Sequence, residues 1–177
     1  MNFIQDTFIM LKPDVIERSL VGSVLQKFEL SGLKISQIKS AVATRDKIVN
    51  QYNPSHQWFE KVGHKVLKQF ELYKINALMY FDKTNPESIG QKIFERHINH
   101  LSGRQIVIAI ISGAHAIERV KQIVGDTEPL KALRGTIRGD WCTDSIIHCN
   151  IQKRALNNLV HRATNTVEAK HQISTWF

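Results

Sequence analysis

Four short stretches of this 177-residue sequence carry side chains that can do chemistry on an anion. Asn158-Leu159-Val160-His161 ends on a histidine. A neutral imidazole is a usable nucleophile near pH 7, because its ordinary pKa lies close to that value. Lys12-Pro13-Asp14 closes an apolar run and leaves a lysine at its end. In Arg134-Gly135-Thr136-Ile137-Arg138-Gly139-Asp140 two glycines bracket Thr136 to Arg138, a pattern that lets a loop bend tightly and point an arginine inward. Gly125-Asp126-Thr127 follows a stretch that carries Lys121. Taken singly, each has a plainer reading: a solvated lysine, an Arg-Gly-Asp turn, a structural histidine. Neither a Walker A pattern nor G-x-G-x-x-G is present, so phosphates must be held by side chains.

Other groupings are weaker. His97 and His100 stand at i, i+3 and lack a third ligand nearby. Cys142, His148 and Cys149 lack the paired Cys-x-x-Cys spacing of a structural zinc site. Lys61, Lys65 and Lys68 line one side of a helix and read as a solvated face, without the aromatic interleaving of a nucleic-acid stripe.

The elements that must position these residues are legible from periodicity. Thr7-Phe8-Ile9-Met10-Leu11 is a buried strand ended by Lys12-Pro13-Asp14. Val21, Val24, Leu25 and Phe28 recur at helical spacing, with Gly32 placed to stop the helix. Lys34 to Val42 reads as a strand. Asn53-Pro54 and Asn85-Pro86 each put a capping side chain before a proline. They predict helices running through Phe70 and to about Leu101. Ile106 to Ile111 is apolar and rich in β-branched residues, as in a central strand. A helix from about Ala114 to Val124 follows. Asn165 and Glu168 have capping-box spacing before a last helix that reaches Ile173. On a strand, Asn158 and His161 would fall on opposite faces, although a bend or bulge would bring them together. The order of elements fits an α+β sandwich with helices on one face of the sheet. A doubly wound parallel sheet competes, but it wants a glycine-rich turn after the first strand.

Length favours one domain spanning residues 1–177. The apolar fraction of 42% and charged fraction of 23% are ordinary for a globular protein. No apolar run reaches the roughly 18 residues that cross a bilayer. Met1 to Asp6 lacks the start of a signal peptide, so a cytoplasmic protein is the expectation. Two cysteines make no disulfide framework. The net charge of +8 points to an anionic partner without choosing among nucleotide, nucleic acid and lipid.

Together the four stretches resemble the nucleoside diphosphate kinase family, almost from end to end. The resemblance rests on Thr7 to Asp14, Arg18-Ser19-Leu20-Val21-Gly22, Thr136-Ile137-Arg138-Gly139-Asp140, Asn158-Leu159-Val160-His161 and the closing Trp176-Phe177. It implies a ferredoxin-like α/β sandwich with a four-stranded antiparallel sheet. It also implies ping-pong phosphate transfer between nucleoside tri- and diphosphates, Mg²⁺ bound with the nucleotide, and a homo-oligomer, usually a hexamer or tetramer. By that resemblance His161 carries the phosphate. Lys12, Tyr52, Thr127, Arg138 and Asn158 match positions that hold phosphates and sugar. Lys121 stands where an arginine is usual, which keeps the charge and loses the forked contact. Trp58 and Phe59 are both candidates to stack on the base.

The chain departs from the family pattern in two ways. It is longer from about Phe70 to Ser102, and again between Arg138 and His161. After the histidine the family has a small residue, then serine and aspartate, where this chain has Arg162-Ala163-Thr164. Eleven residues past the histidine the family has a glutamate that orients the ring, and this chain has Gln172. A glutamine oxygen still accepts a ring N–H but does not stabilise positive charge as a carboxylate does. The expectation is an active but slower enzyme, accelerated by restoring Gln172→Glu with Ala163→Ser. The alternative is a degenerate member that binds nucleotide, or holds phosphate on histidine, without efficient turnover. A nucleic-acid module exploiting the positive charge and a purely structural subunit are more distant readings.

Overall fold

A computed structural model describes residues 3–177. Strand β1 (Ile4–Leu11) leads into a short helix α1 (Pro13–Glu17), then α2 (Val21–Leu30) and β2 (Lys34–Val42). Three helices follow, α3 (Arg45–Tyr52), α4 (His56–Leu72) and α5 (Pro86–Leu101), then β3 (Gln105–Ala114) and α6 (Ala116–Val124). Two short helices, α7 (Ile137–Trp141) and α8 (Ile146–Ile151), precede β4 (Val160–Arg162) and α9 (Thr166–Trp176). The strands make one antiparallel sheet in the order β2-β3-β1-β4. This is the four-stranded α+β arrangement expected.

Helices cover both faces of the sheet, not one. The reason lies in β1, where Phe8, Ile9, Met10 and Leu11 are all fully buried. A strand apolar on both sides needs cover on both sides. Ile9 and Leu11 pack with Val24, Phe28, Val120 and Val124 from α2 and α6. Phe8 and Met10 pack with Ile48, Phe94, Ile98 and Trp176 from α3, α5 and α9.

The two stretches expected to be extra meet each other. Phe70, Phe81 and Ile89 pack against Ile147 of α8 in a third apolar cluster, with Ile75, Tyr80 and Ile146 against it. They therefore form one wall rather than two separate loops. The α4–α5 pair that begins this wall is held at backbone contact. A Cβ on Gly63 would lie 1.8 Å from the Pro86 carbonyl oxygen, and one on Gly90 2.0 Å from that of Phe59.

Two local expectations need correction. Asn85 does cap α5, its side chain accepting from the Ser88 N–H at 2.8 Å. Asn53, however, does not cap α4. It takes a left-handed conformation (φ 35°) that closes α3, and Ser55 caps α4 instead. Asparagine tolerates that conformation well, which suits it to ending helices as much as starting them. Arg138 does not ride on a glycine-bent loop either. Thr136 caps α7, and Arg138 is its second residue. Of the bracketing glycines, Gly135 takes a positive φ of 88°, whereas Gly139 lets α7 sit on the Leu133 carbonyl.

Candidate active site

The site is built around a tight turn before β4. Leu159 is buried with φ 64°, and the Val160 N–H donates to the Asn158 carbonyl at 2.7 Å. A three-residue turn of this hand is rare and strained, costing about 1–3 kcal/mol. Its surroundings hold it. The Lys12 N–H donates to the Leu159 carbonyl at 2.8 Å, and the Leu159 N–H donates to Asp14 Oδ2 at 3.0 Å. Arg138 donates from Nε to the Asn158 carbonyl (3.0 Å) and from Nη2 to the Val160 carbonyl (2.6 Å). Its Nη1 reaches the Gly125 carbonyl at 3.0 Å. The arginine is thus a clamp on the turn as well as a buried cation. The bend is what lets Asn158 and His161 serve one site. Lys12 Nζ donates to Asn158 Oδ1 at 2.7 Å, and Asn158 Nδ2 donates to the Thr127 carbonyl at 3.1 Å.

His161 sits in a chain of hydrogen bonds. Its Nε2 is 3.0 Å from Gln172 Oε1, and Gln172 Nε2 donates to Glu168 Oε1 at 2.8 Å. On the other side, His161 Nδ1 is 3.1 Å from the Tyr52 hydroxyl, which is 2.6 Å from His97 Nε2. An amide oxygen only accepts, so His161 carries its proton on Nε2 and its lone pair on Nδ1. Burial lowers the His161 pKa to about 4, with Gln172 and Glu168 opposing and Lys12 and Arg138 adding to the effect. The ring is therefore neutral at pH 7. Burial raises the Tyr52 pKa, so its hydroxyl keeps its proton. Burial also lowers Lys12 to about 8, against the pull of Asp14, and Arg138 to about 10. Lys12 and Arg138 remain charged at pH 7.

An open cleft of about 910 Å³ runs away from His161. Lys12, Tyr52, Trp58, Thr127, Arg138 and Asn158 line it with His161. Gln172 is fully buried behind the ring. Two candidates stand apart from the cleft. Lys121 is on the exposed side of α6, paired with Glu118 at 3.1 Å. Phe59 packs inward against Trp58 and Phe94. Of the two aromatics, it is Trp58 that faces the cleft. The far end of the cleft is walled by Ile146, Cys149 and Asn150 of α8, so the added segments shape it.

Three residues of the site, Asp14, His97 and Glu168, escaped the sequence reading. Asp14 was seen only as part of a turn motif. His97 was weighed as a metal ligand and instead bonds to Tyr52, while His100 lies 3.2 Å from Arg104 Nη1. Glu168 looked like half of a capping box. Asn165 does accept from its N–H, but its carboxylate turns to Thr164 and Gln172. The signal available was the i, i+4 spacing of Glu168 and Gln172 on one helix. Arg162 lines the cleft, and its Nε is buried without a partner. Cys142 and Cys149 are free thiols, pushed up by burial to about 11 and about 12.

The family model described as nucleoside diphosphate kinase matches residues 5–68 and 56–177. The nucleoside diphosphate kinase of Pyrobaculum aerophilum is 33% identical over 174 residues, 98% of this chain and 95% of that protein. That of Pyrococcus furiosus is 27% identical over 177 residues, 100% of this chain and 85% of that protein. The crystal structure of an NDP kinase from Pyrobaculum aerophilum shares the fold with a TM-score of 0.94 at 32% identity. The match covers 98% of this chain and 96% of that one.

Proposed function

Because the chain belongs to the nucleoside diphosphate kinase family, we propose that it transfers the terminal phosphate of a nucleoside triphosphate to a nucleoside diphosphate through phosphorylated His161. One observation carries the reading: a neutral imidazole, fixed at Nε2 by Gln172 and met at Nδ1, among the described residues, only by the movable Tyr52 hydroxyl, on the wall of a cleft that Lys12, Arg138 and Asn158 also line.

The steps balance without a general base. His161 Nδ1 attacks the terminal phosphorus, a P–N bond forms, and the bond to the bridging oxygen breaks. Its electron pair leaves on the diphosphate. The ring becomes cationic while keeping its Nε2 proton on Gln172 Oε1. A terminal oxygen of the second diphosphate then attacks the same phosphorus and returns the electron pair to Nδ1. The Tyr52 hydroxyl lies 3.1 Å from that lone pair. It must release Nδ1 and can then donate to a phosphate oxygen. Lys12 and Arg138 offset the charge on the moving phosphoryl group, which is most of what this chemistry requires. Asn158, held by Lys12, is placed to accept from the sugar or donate to phosphate. Trp58 offers a stacking face, which tolerates any base.

Mg²⁺ fits this site as an ion carried on the phosphates. Among the described residues no group of three histidine, cysteine or carboxylate side chains gathers to hold one. The hydroxyls of Thr127 and Thr164 are side-chain oxygens on the cleft wall that could meet its waters. When bound, it neutralises phosphate charge. A homo-oligomer belongs to the same reading. Edge strand β2 leaves Ile38 and Val42 exposed, which offers a surface to a second copy. Among the described residues no helix is long and apolar enough to cross a membrane.

The test is a two-step labelling assay. Protein incubated with radiolabelled ATP and Mg²⁺ is isolated and then given unlabelled GDP. Acid-labile label that is absent in His161→Ala and passes to GDP supports the kinase. Label that GDP cannot remove would replace it with a phosphocarrier, and no label would end the enzyme reading.

A further inference from the structure

We propose that Glu168, acting through the Gln172 amide, selects the His161 tautomer that leaves Nδ1 open. It is a positioning residue, since it touches neither substrate nor the reacting atoms.

The argument follows the direction of each hydrogen bond. An ionised carboxylate can only accept, and an amide offers an oxygen on one side and N–H groups on the other. By itself Gln172 is indifferent. With its oxygen toward His161 it demands an Nε2–H, and with its nitrogen toward His161 it demands a bare Nε2 and a protonated Nδ1. The two orientations differ by a flip of the terminal amide. Glu168 breaks the tie. Three donors converge on its carboxylate: Gln172 Nε2 at 2.8 Å, the Thr164 N–H at 2.8 Å, and the Thr164 hydroxyl. If Gln172 flipped, its oxygen would face Glu168 Oε1 and two acceptors would collide. Gln172 is fully buried, so water cannot relieve that conflict. The Tyr52 side follows either polarity: with Nδ1 bare, Tyr52 donates to it and its oxygen accepts from a His97 Nε2–H, and with Nδ1 protonated the chain reverses.

A glutamate beside the ring would impose this tautomer directly. Here the acceptor-only group lies one helical turn earlier, with a neutral amide between. The tautomer depends on Glu168 whether or not phosphate transfer occurs. Only its consequence for rate rests on the kinase reading.

The experiment is long-range ¹H–¹⁵N NMR of the full-length protein with labelled histidine, read at His161. In the wild type Nε2 should carry the proton and Nδ1 should be bare. In Glu168→Gln the new amide offers an N–H toward Gln172, so the flipped arrangement becomes available and a substantial Nδ1–H population should appear. Single-turnover phosphorylation by ATP should then slow in proportion to the Nε2–H fraction that remains, about twofold where the two tautomers are equal, with nucleotide affinity nearly unchanged. Glu168→Gln combined with Gln172→Glu should restore the Nε2–H form, since an acceptor-only group again meets the ring. Asn165→Ala controls for a merely structural role. It removes the cap of the same helix, where Asn165 Oδ1 accepts from the Glu168 N–H at 2.9 Å, and should leave the tautomer alone. A wild-type ring protonated on Nδ1 would overturn the proposal before any variant is made. So would an unchanged Nε2–H form in Glu168→Gln. A wild-type protein that has the Nε2–H form and takes no label from ATP would instead count against the kinase reading alone.

Discussion

Gln172→Glu is the substitution that the sequence recommends and the structure advises against. It restores the family's carboxylate beside His161, yet it also places that carboxylate against Glu168. The two positions are joined by a 2.8 Å hydrogen bond from the Gln172 amide to Glu168. Two unit charges at that spacing repel by about 6 kcal/mol at an effective dielectric constant of about 20. Solvent at the half-buried Glu168 weakens this, but about 3.7 kcal/mol already suffices to raise the second carboxyl from about 4.3 past 7. The pair therefore keeps one proton at pH 7 and carries one negative charge, as the wild type does. His161 gains little, so the single variant should change phosphoenzyme formation by less than about tenfold. It should also lower stability, because one carboxyl must stay protonated at pH 7 against its ordinary pKa. Adding Glu168→Gln removes the competitor. The double variant should then exceed the wild type by about tenfold, or about 1.4 kcal/mol of barrier. Rapid-quench measurement of label on His161, with each variant at saturating ATP, provides the comparison. Acceleration well beyond tenfold by Gln172→Glu alone, at neutral pH, would refute the reasoning about paired carboxylates. Ala163→Ser adds a hydroxyl at a fully buried position beside Ile117 and Ala169, and is expected to cost stability rather than add rate.

Three further outcomes are expected. The kcat/KM profile should be a plateau between two limbs. The acid limb lies near pH 4, below which His161 is protonated and loses its lone pair, and the alkaline limb near pH 8, above which Lys12 loses its charge. A limb near 6.5 would mean that His161 is not buried as described. Arg162→Ala should raise the KM for nucleotide by about tenfold, and Lys121→Ala by no more than about twofold, since one lines the cleft with an unpartnered Nε and the other is paired with Glu118. Steady-state kinetics with both variants ranks them, and the opposite order would return the phosphates to Lys121. Gly63→Ala should destabilise the protein by about 1–3 kcal/mol or more, because its Cβ would meet the Pro86 backbone at 1.8 Å, which denaturant unfolding measures.

The local rules reached far along this chain. The span of β2, the centre of β3, the stop at Gly32 and the Asn85 cap all follow from periodicity and turn chemistry over a few residues, whereas β3 runs on past Ile111 to Ala114. The short helices α1, α3, α7 and α8 were not legible, since five to eight residues hold too little of a period to stand out. The cap at Asn53 was misread because the same side chain serves helix ends and helix starts. Helices on both faces were implicit in the unbroken apolar run of β1, but the run does not say which helix goes where.

What the sequence determined by itself was the set of elements and the chemical types gathered for a phosphate: His161, Lys12, Arg138, Asn158 and Tyr52, in an order that resembles one family. What only the tertiary structure decided was how those groups are aimed. Lys12 meets Asn158 across 146 positions, Tyr52 meets His161 across 109, and Asp14 holds the Leu159 turn from 145 positions away. Such pairings follow from the packing of a sheet between two layers of helices, and no local spacing encodes them. The proton on His161 is settled in the same way, by a buried amide that can point in either direction until the Glu168 carboxylate leaves it one.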